Sequence, residues 1–178
     1  MKQSSQNTQP NSLALCKADG ELAISTGQQI DLKAALLDIE INVLMRHNSS
    51  LLTELINRML LPAKLSCVCY LAMMYLHSSK GNLANPSEIS QAIGDTRTNM
   101  TRICDELVTK GLMQRVPNDL DRRRVDLSLT PQGIDLLRDV VPLVRRRVHA
   151  VMSEFRSEEK AQLVRLMARL NKSLEAQL

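Results

Sequence analysis

Large flat side chains are nearly missing from this chain: it has no Trp, one Phe and two Tyr. That scarcity argues against a β-sandwich, and the abundant Leu, Met and Ala in a chain that is 44% hydrophobic favour helix packed on helix. No run of apolar residues is long enough to span a membrane, and no secretory leader is readable. Cys16, Cys67, Cys69 and Cys104 have none of the spacings of a zinc site, and His47 and His77 lack a second ligand at metal spacing. No Ser/His/Asp or paired-carboxylate arrangement stands out either. The expectation is a cytoplasmic protein with no metal, no cofactor, no catalytic residue and no membrane partner. A strong charge of one sign is also missing: net +4 and a pI near 9.0 permit an anionic partner without requiring one.

What is present is a pattern from Pro86 to Thr130. Pro86 suits the first turn of a helix, Ile89, Ala92 and Ile93 recur at helical spacing, and Gly94 supplies a residue that tolerates φ > 0. Asp95 or Thr96 can cap a second helix over residues 96–110, whose apolar stripe is Met100, Ile103, Cys104, Leu107 and Val108 before Gly111 closes it. Its other face carries Arg97, Thr98, Asn99, Thr101 and Arg102 in the first two turns, where a recognition helix offers side chains to base edges in the major groove. Residues 112–116 and 125–129 have strand composition, with Val125, Leu127 and Leu129 alternating against Asp126 and Ser128. The eight residues between them, 117–124, are too many for a tight hairpin and suit a projecting wing. At its tip Asp119 and Asp121 can partly pair with Arg122, Arg123 and Arg124, fixing the loop while leaving net positive charge for phosphates or a narrow minor groove. Residues 86–130 hold seven Lys or Arg and seven acids, so the case for DNA rests on where the charges lie.

The runs Thr101-Arg102, Leu107-Val108-Thr109-Lys110-Gly111-Leu112, Asn118-Asp119-Leu120-Asp121-Arg122-Arg123-Arg124 and Leu127-Ser128-Leu129-Thr130-Pro131-Gln132-Gly133 together resemble the signature of the MarR family of bacterial transcription regulators. The segment 97–107 is similar in particular to its EmrR-type multidrug-efflux repressor branch, and a looser likeness runs from about Asp31 to the C-terminus. The resemblance implies a homodimeric repressor on a pseudo-palindromic double-stranded DNA operator, with the first helix and the last two forming the dimer interface. It also implies release by a small amphipathic or aromatic effector bound between the dimerisation helices and the DNA-binding lobe. Met45, Met59, Met73 and Met74 lie on helices that would line that cleft, and Met side chains adapt to varied ligands. Some members of the family sense oxidation through a thiol, so a redox regulator of the same fold is an alternative. A winged-helix module that holds proteins and binds no DNA is another.

The expected fold is mainly α with a small β-wing: a winged helix-turn-helix with N- and C-terminal dimerisation helices. Residues 1–27, rich in Ser, Gln and Asn, read as a flexible arm. Residues 28–61 read as a dimerisation helix ended by Pro62, residues 62–130 as the DNA-binding domain, and residues 131–178 as the C-terminal dimerisation helices. Within the DNA-binding domain a helix is expected over residues 63–76, and Leu83 and Ala84 are candidates for a short third strand. Beyond the wing, Pro142 predicts a kink in one helix and Ser157-Glu-Glu-Lys160 the start of another. Arg145, Arg146 and Arg147 cover most of a helix circumference, which suits a solvated face with one or two salt bridges better than a flat phosphate-binding patch.

Overall fold

The computed structural model describes residues 32–118 and 125–178. Among them, residues 32–55 form one compact unit and Ile56–Leu178 another. Helix α1 spans Leu32–Leu60, and its last turn, from Ile56, belongs to the second unit. No residue of 34–55 is buried, and Leu37 and Ile41 are 59% and 50% exposed.

In the second unit the chain leaves α1 through a single 3₁₀ turn, Leu61–Ala63, with Pro62 inside it. Lys64 then adopts φ 52, a left-handed conformation that breaks any continuing helix. Helix α2 accordingly spans Cys67–Ser78, several residues later than the Ala63 start expected from apolar spacing. The Ser66 hydroxyl caps it by accepting from the Cys69 N–H, and the Cys67 N–H donates to Asn57 Oδ1 of α1 at 2.6 Å. Six of its twelve residues are buried, which makes α2 the floor of the unit.

Helix α3 is Pro86–Ile93, Gly94 takes φ 71, and helix α4 is Arg97–Thr109. The wing strands are β1, Met113–Pro117, and β2, Val125–Leu129, paired antiparallel with Met113 opposite Leu129 and Pro117 opposite Val125. The third strand reduces to one isolated bridge, Ala84 to Leu127, while Leu83 stays outside the ladder. Helix α5, Pro131–Met152, runs unbroken through Pro142, and helix α6 is Ser157–Glu175.

One core joins α2, α3, α4, the strands and the first half of α5. Leu60, Met73, Leu76, Ile89, Met100 and Leu107 are fully buried in it, each contributing about 1.5–3 kcal/mol relative to an exposed position. Two contacts fix the wing's root. Thr130 Oγ1 donates to the Gly111 carbonyl at 2.6 Å and accepts from the Gly133 N–H. A Cβ at Gly133 would lie 2.1 Å from the Leu112 carbonyl oxygen, so only glycine lets α5 start this close to β1. Among the described residues no single helix is long and apolar enough to cross a membrane.

Candidate nucleic-acid interface

The first helix of the pair is anchored by a reciprocal cap. Asn85 Oδ1 accepts from the N–H groups of Ser87 and Glu88 at 3.0 and 3.1 Å, while Glu88 Oε2 accepts from the Asn85 N–H. Because Pro86 has no N–H, the opening turn is satisfied by its own residues. At the far end Gly94 makes the left-handed turn that hands the chain to α4. Of the two candidate caps it is Thr96 that caps α4, its Oγ1 accepting from the Asn99 N–H at 3.2 Å.

This start sets the rotation of α4. Met100, Ile103, Cys104 and Leu107 turn into the core, so Arg97, Thr98, Thr101 and Arg102 are all exposed on the opposite side and Asn99 is half-buried between. The five residues singled out in the sequence thus share the outer side of one helix. Several are already engaged. Thr101 Oγ1 donates to the Arg97 carbonyl, Arg102 Nη2 donates to Asn99 Oδ1 at 3.0 Å, and Asn99 Nδ2 donates to Asp95 Oδ2 at 2.7 Å. Further along, Glu106 receives Lys110 Nζ at 2.7 Å and lies 3.7 Å from Arg102 Nη1. Lys110 also donates to the Lys64 carbonyl, and Arg115 on β1 pairs with Asp105 at 2.5 Å. The charged face of α4 is therefore tied both to the α1–α2 link and to the wing.

Beside it lies a recess of about 300 Å³ lined by Asn85, Pro86, Ser87, Arg97, Thr101 and Val125. No acidic side chain among the described residues lines it, and Arg97 brings a positive charge to its rim. Asn85 Nδ2 is buried and makes no hydrogen bond among the described residues. An unpaired buried donor of this kind costs about 1–3 kcal/mol. Sequence reasoning missed Asn85 and Asp95. The readable signal was two adjacent cap-type residues, Asp95 and Thr96, of which only one can cap and the other is free for a second task.

The wing-tip residues Asp119, Asp121, Arg122, Arg123 and Arg124 lie outside the described residues. Below them Asn118 Nδ2 donates to Asp126 Oδ2 at 2.7 Å, clamping the two strands where the tip begins. Of the four methionines expected around an effector, Met73 is fully buried in the core, Met59 and Met74 are half-buried against it, and Met45 is half-buried on the first unit's stretch of α1. Cys67, Cys69 and Cys104 are buried free thiols, whereas Cys16 lies outside the described residues. Burial pushes Cys67 upward and Cys104 up to about 11, the latter helped by Asp105 and opposed by Arg115.

Residues 65–124 match the MarR family. The chain is 36% identical over 138 residues to the transcriptional repressor MprA of Escherichia coli K12, covering 78% of each protein. Among solved structures it is similar to AbsC, a MarR-family transcriptional regulator from Streptomyces coelicolor, with a TM-score of 0.70 at 21% identity over 78% of this chain and 96% of that one. It is similar also to the S. aureus MepR–DNA complex, with a TM-score of 0.70 at 20% identity over 75% of this chain and 97% of that one.

Proposed function

Because the chain belongs to the MarR family of transcription regulators, we propose that it represses transcription by binding a pseudo-palindromic DNA operator as a homodimer. The observation that carries this reading is the rotation of α4, which sends Met100, Ile103, Cys104 and Leu107 inward and presents Arg97, Thr98, Thr101 and Arg102 outward over the first two turns. A helix so placed can enter the major groove by its N-terminal end. The adjoining recess, with Arg97 at its rim and no acidic side chain among the described residues that line it, suits a backbone phosphate, and Arg122 to Arg124 would bring the wing onto the same strand or into the minor groove. The relative MprA is itself a transcriptional repressor.

Two apolar surfaces support the dimer. Helix α6 buries none of its residues, and Leu163, Leu166 and Met167 are 44%, 47% and 51% exposed. Residues 34–55 of α1 bury none either. Such stripes at both ends of the chain are what two copies would cover jointly. Release by a small amphipathic or aromatic effector is favoured over a thiol switch, because the three described thiols are buried and those of Cys67 and Cys104 are held protonated, which suppresses the reactive thiolate. Met59 and Met74, and on the first unit Met45, each retain exposed surface, whereas Met73 has none to offer an effector.

The test is a salt titration of binding to random and selected duplexes. A protein that neutralises several phosphates loses affinity steeply with salt, and replacing Arg122 and Arg123 together by Ala should flatten that slope while leaving base preference intact. A shallow slope in the wild type would defeat the DNA reading.

A further inference from the structure

We infer that Asp95 determines operator specificity by positioning Arg102 through the Asn99 amide. The inference rests on the DNA reading above and names the side chain that aims its base reader. Thr96 takes the cap of α4, so the Asp95 carboxylate is left to bridge: Oδ1 accepts from the Thr96 N–H at 2.6 Å and Oδ2 accepts from Asn99 Nδ2 at 2.7 Å. With its nitrogen held by Asp95, the Asn99 amide turns its oxygen toward Arg102, whose Nη2 donates to it at 3.0 Å. Glu106 draws the other terminal nitrogen of Arg102 from one turn further on, at 3.7 Å.

The polarity of this relay matters. Asn99 is the middle member, with one N–H and one oxygen lone pair already engaged, so its amide can meet a base only with the N–H and lone pair that remain. Arg102 differs: one hydrogen bond, to Asn99, and the longer ion-pair approach of Glu106 restrain its guanidinium and leave further N–H groups on a side chain that is 66% exposed. An Arg held in advance loses less side-chain freedom on meeting a guanine edge. Asp95 also has a second effect, because a carboxylate at the DNA-facing end of α4 opposes every phosphate regardless of sequence. It therefore lowers binding to random DNA while it sharpens binding to the operator.

A residue that merely stabilises the start of α4 would do neither, and one substitution separates the cases. Asp95→Asn keeps an oxygen for the Thr96 N–H but presents an NH₂ to the Asn99 NH₂. The amide of Asn99 must then flip and turn its own donor on Arg102, and the negative charge is gone. The full-length protein would be titrated with the selected operator, with that operator substituted at each base pair in turn, and with random duplex at one salt concentration. Asp95→Asn should tighten binding to random duplex severalfold and reduce the penalty for replacing the guanine read by Arg102 by about fivefold or more. Adding Arg102→Ala should remove whatever discrimination remains at that base pair, and Asn99→Ala, which cuts the same relay at its centre, should reproduce the partial loss. The inference is overturned if Asp95→Asn leaves every base-pair penalty unchanged, or if operator and random duplex weaken in parallel as the melting temperature falls, which marks a capping role only. A wild type with no base preference would overturn the DNA reading itself, a result distinguishable from either.

Discussion

The middle of the chain and its two ends use apolar side chains in opposite ways. From Ile56 to Val144 most of the large apolar residues are enclosed by the chain itself, with Leu60, Met73, Leu76, Ile89, Met100 and Leu107 fully buried. At the ends, residues 34–55 and helix α6 have the same Leu-rich composition at the same helical spacing, yet none of these residues is buried. Composition does not distinguish the two; closure does. The middle is a unit whose helices and wing answer one another's contacts, whereas the ends are long single helices of the kind that draw their stability from tertiary packing. A lobe that is complete in one chain can hold the outer face of α4 rigid whatever the open helices at the ends pack against.

The largest effect expected from breaking this contrast is in the middle. Leu107→Ala removes a fully buried side chain of α4 and should destabilise the protein by about 2–5 kcal/mol in chemical unfolding followed by circular dichroism. A loss under about 1 kcal/mol would mean that the centre is no better closed than the ends. The next test acts on α6. Replacing Leu163 and Leu166 by Glu touches no buried residue of the single chain and should leave the core formed, while it weakens self-association by at least about tenfold, read by sedimentation velocity. If the double variant sediments as the wild type does, α6 is not part of a dimer interface.

How much of this was legible beforehand follows from where the determining interactions are local. Pro86, Gly94 and the Thr130-Pro131 pair mark the helix ends correctly because a cap and a left-handed turn are chosen by neighbours within four residues. The outward face of α4 was readable for the same reason: its inward stripe fixes its rotation. The start of α2 was not, because a single left-handed residue, Lys64, overrides an apolar pattern that continues straight through it. Leu83 has strand composition, but only Ala84 meets β2, since pairing depends on a partner more than forty positions away. Glycine at 133 is explained only by the Leu112 carbonyl against it, and the side task of Asp95 only by the Asn99 amide one turn on. Met73 illustrates the opposite limit. Sequence placed it on a helix that could line a cleft, and only three-dimensional packing shows that it has no surface left to offer.

The smallest effect expected asks whether the middle excludes water well enough to hold a thiol in its neutral form. Cys104 faces the core from α4, and its ionisation is pushed from an ordinary value of 9.0 to about 11, chiefly by burial and further by Asp105. In the unfolded chain the thiol ionises near its ordinary value, so below pH 9 both states carry the proton and pH has no leverage through this group. Between about pH 9 and pH 11 the folded protein retains a proton that the unfolded chain gives up, and stability must fall as pH rises, by about 1.4 kcal/mol per unit from this residue at most. The measurement is a difference: unfolding free energies of the wild type and of Cys104→Ala across pH 8 to 10.5, which cancels the Lys and Tyr titrations common to both. The wild type should lose stability faster with pH than the variant, and the gap between their curves should be flat below pH 9. Parallel curves over the whole range would show that the thiol ionises in place and that the core at α4 admits water. The burial that disfavours peroxide sensing by Cys104 would then be lost, and the contrast between a closed middle and open ends would weaken at α4.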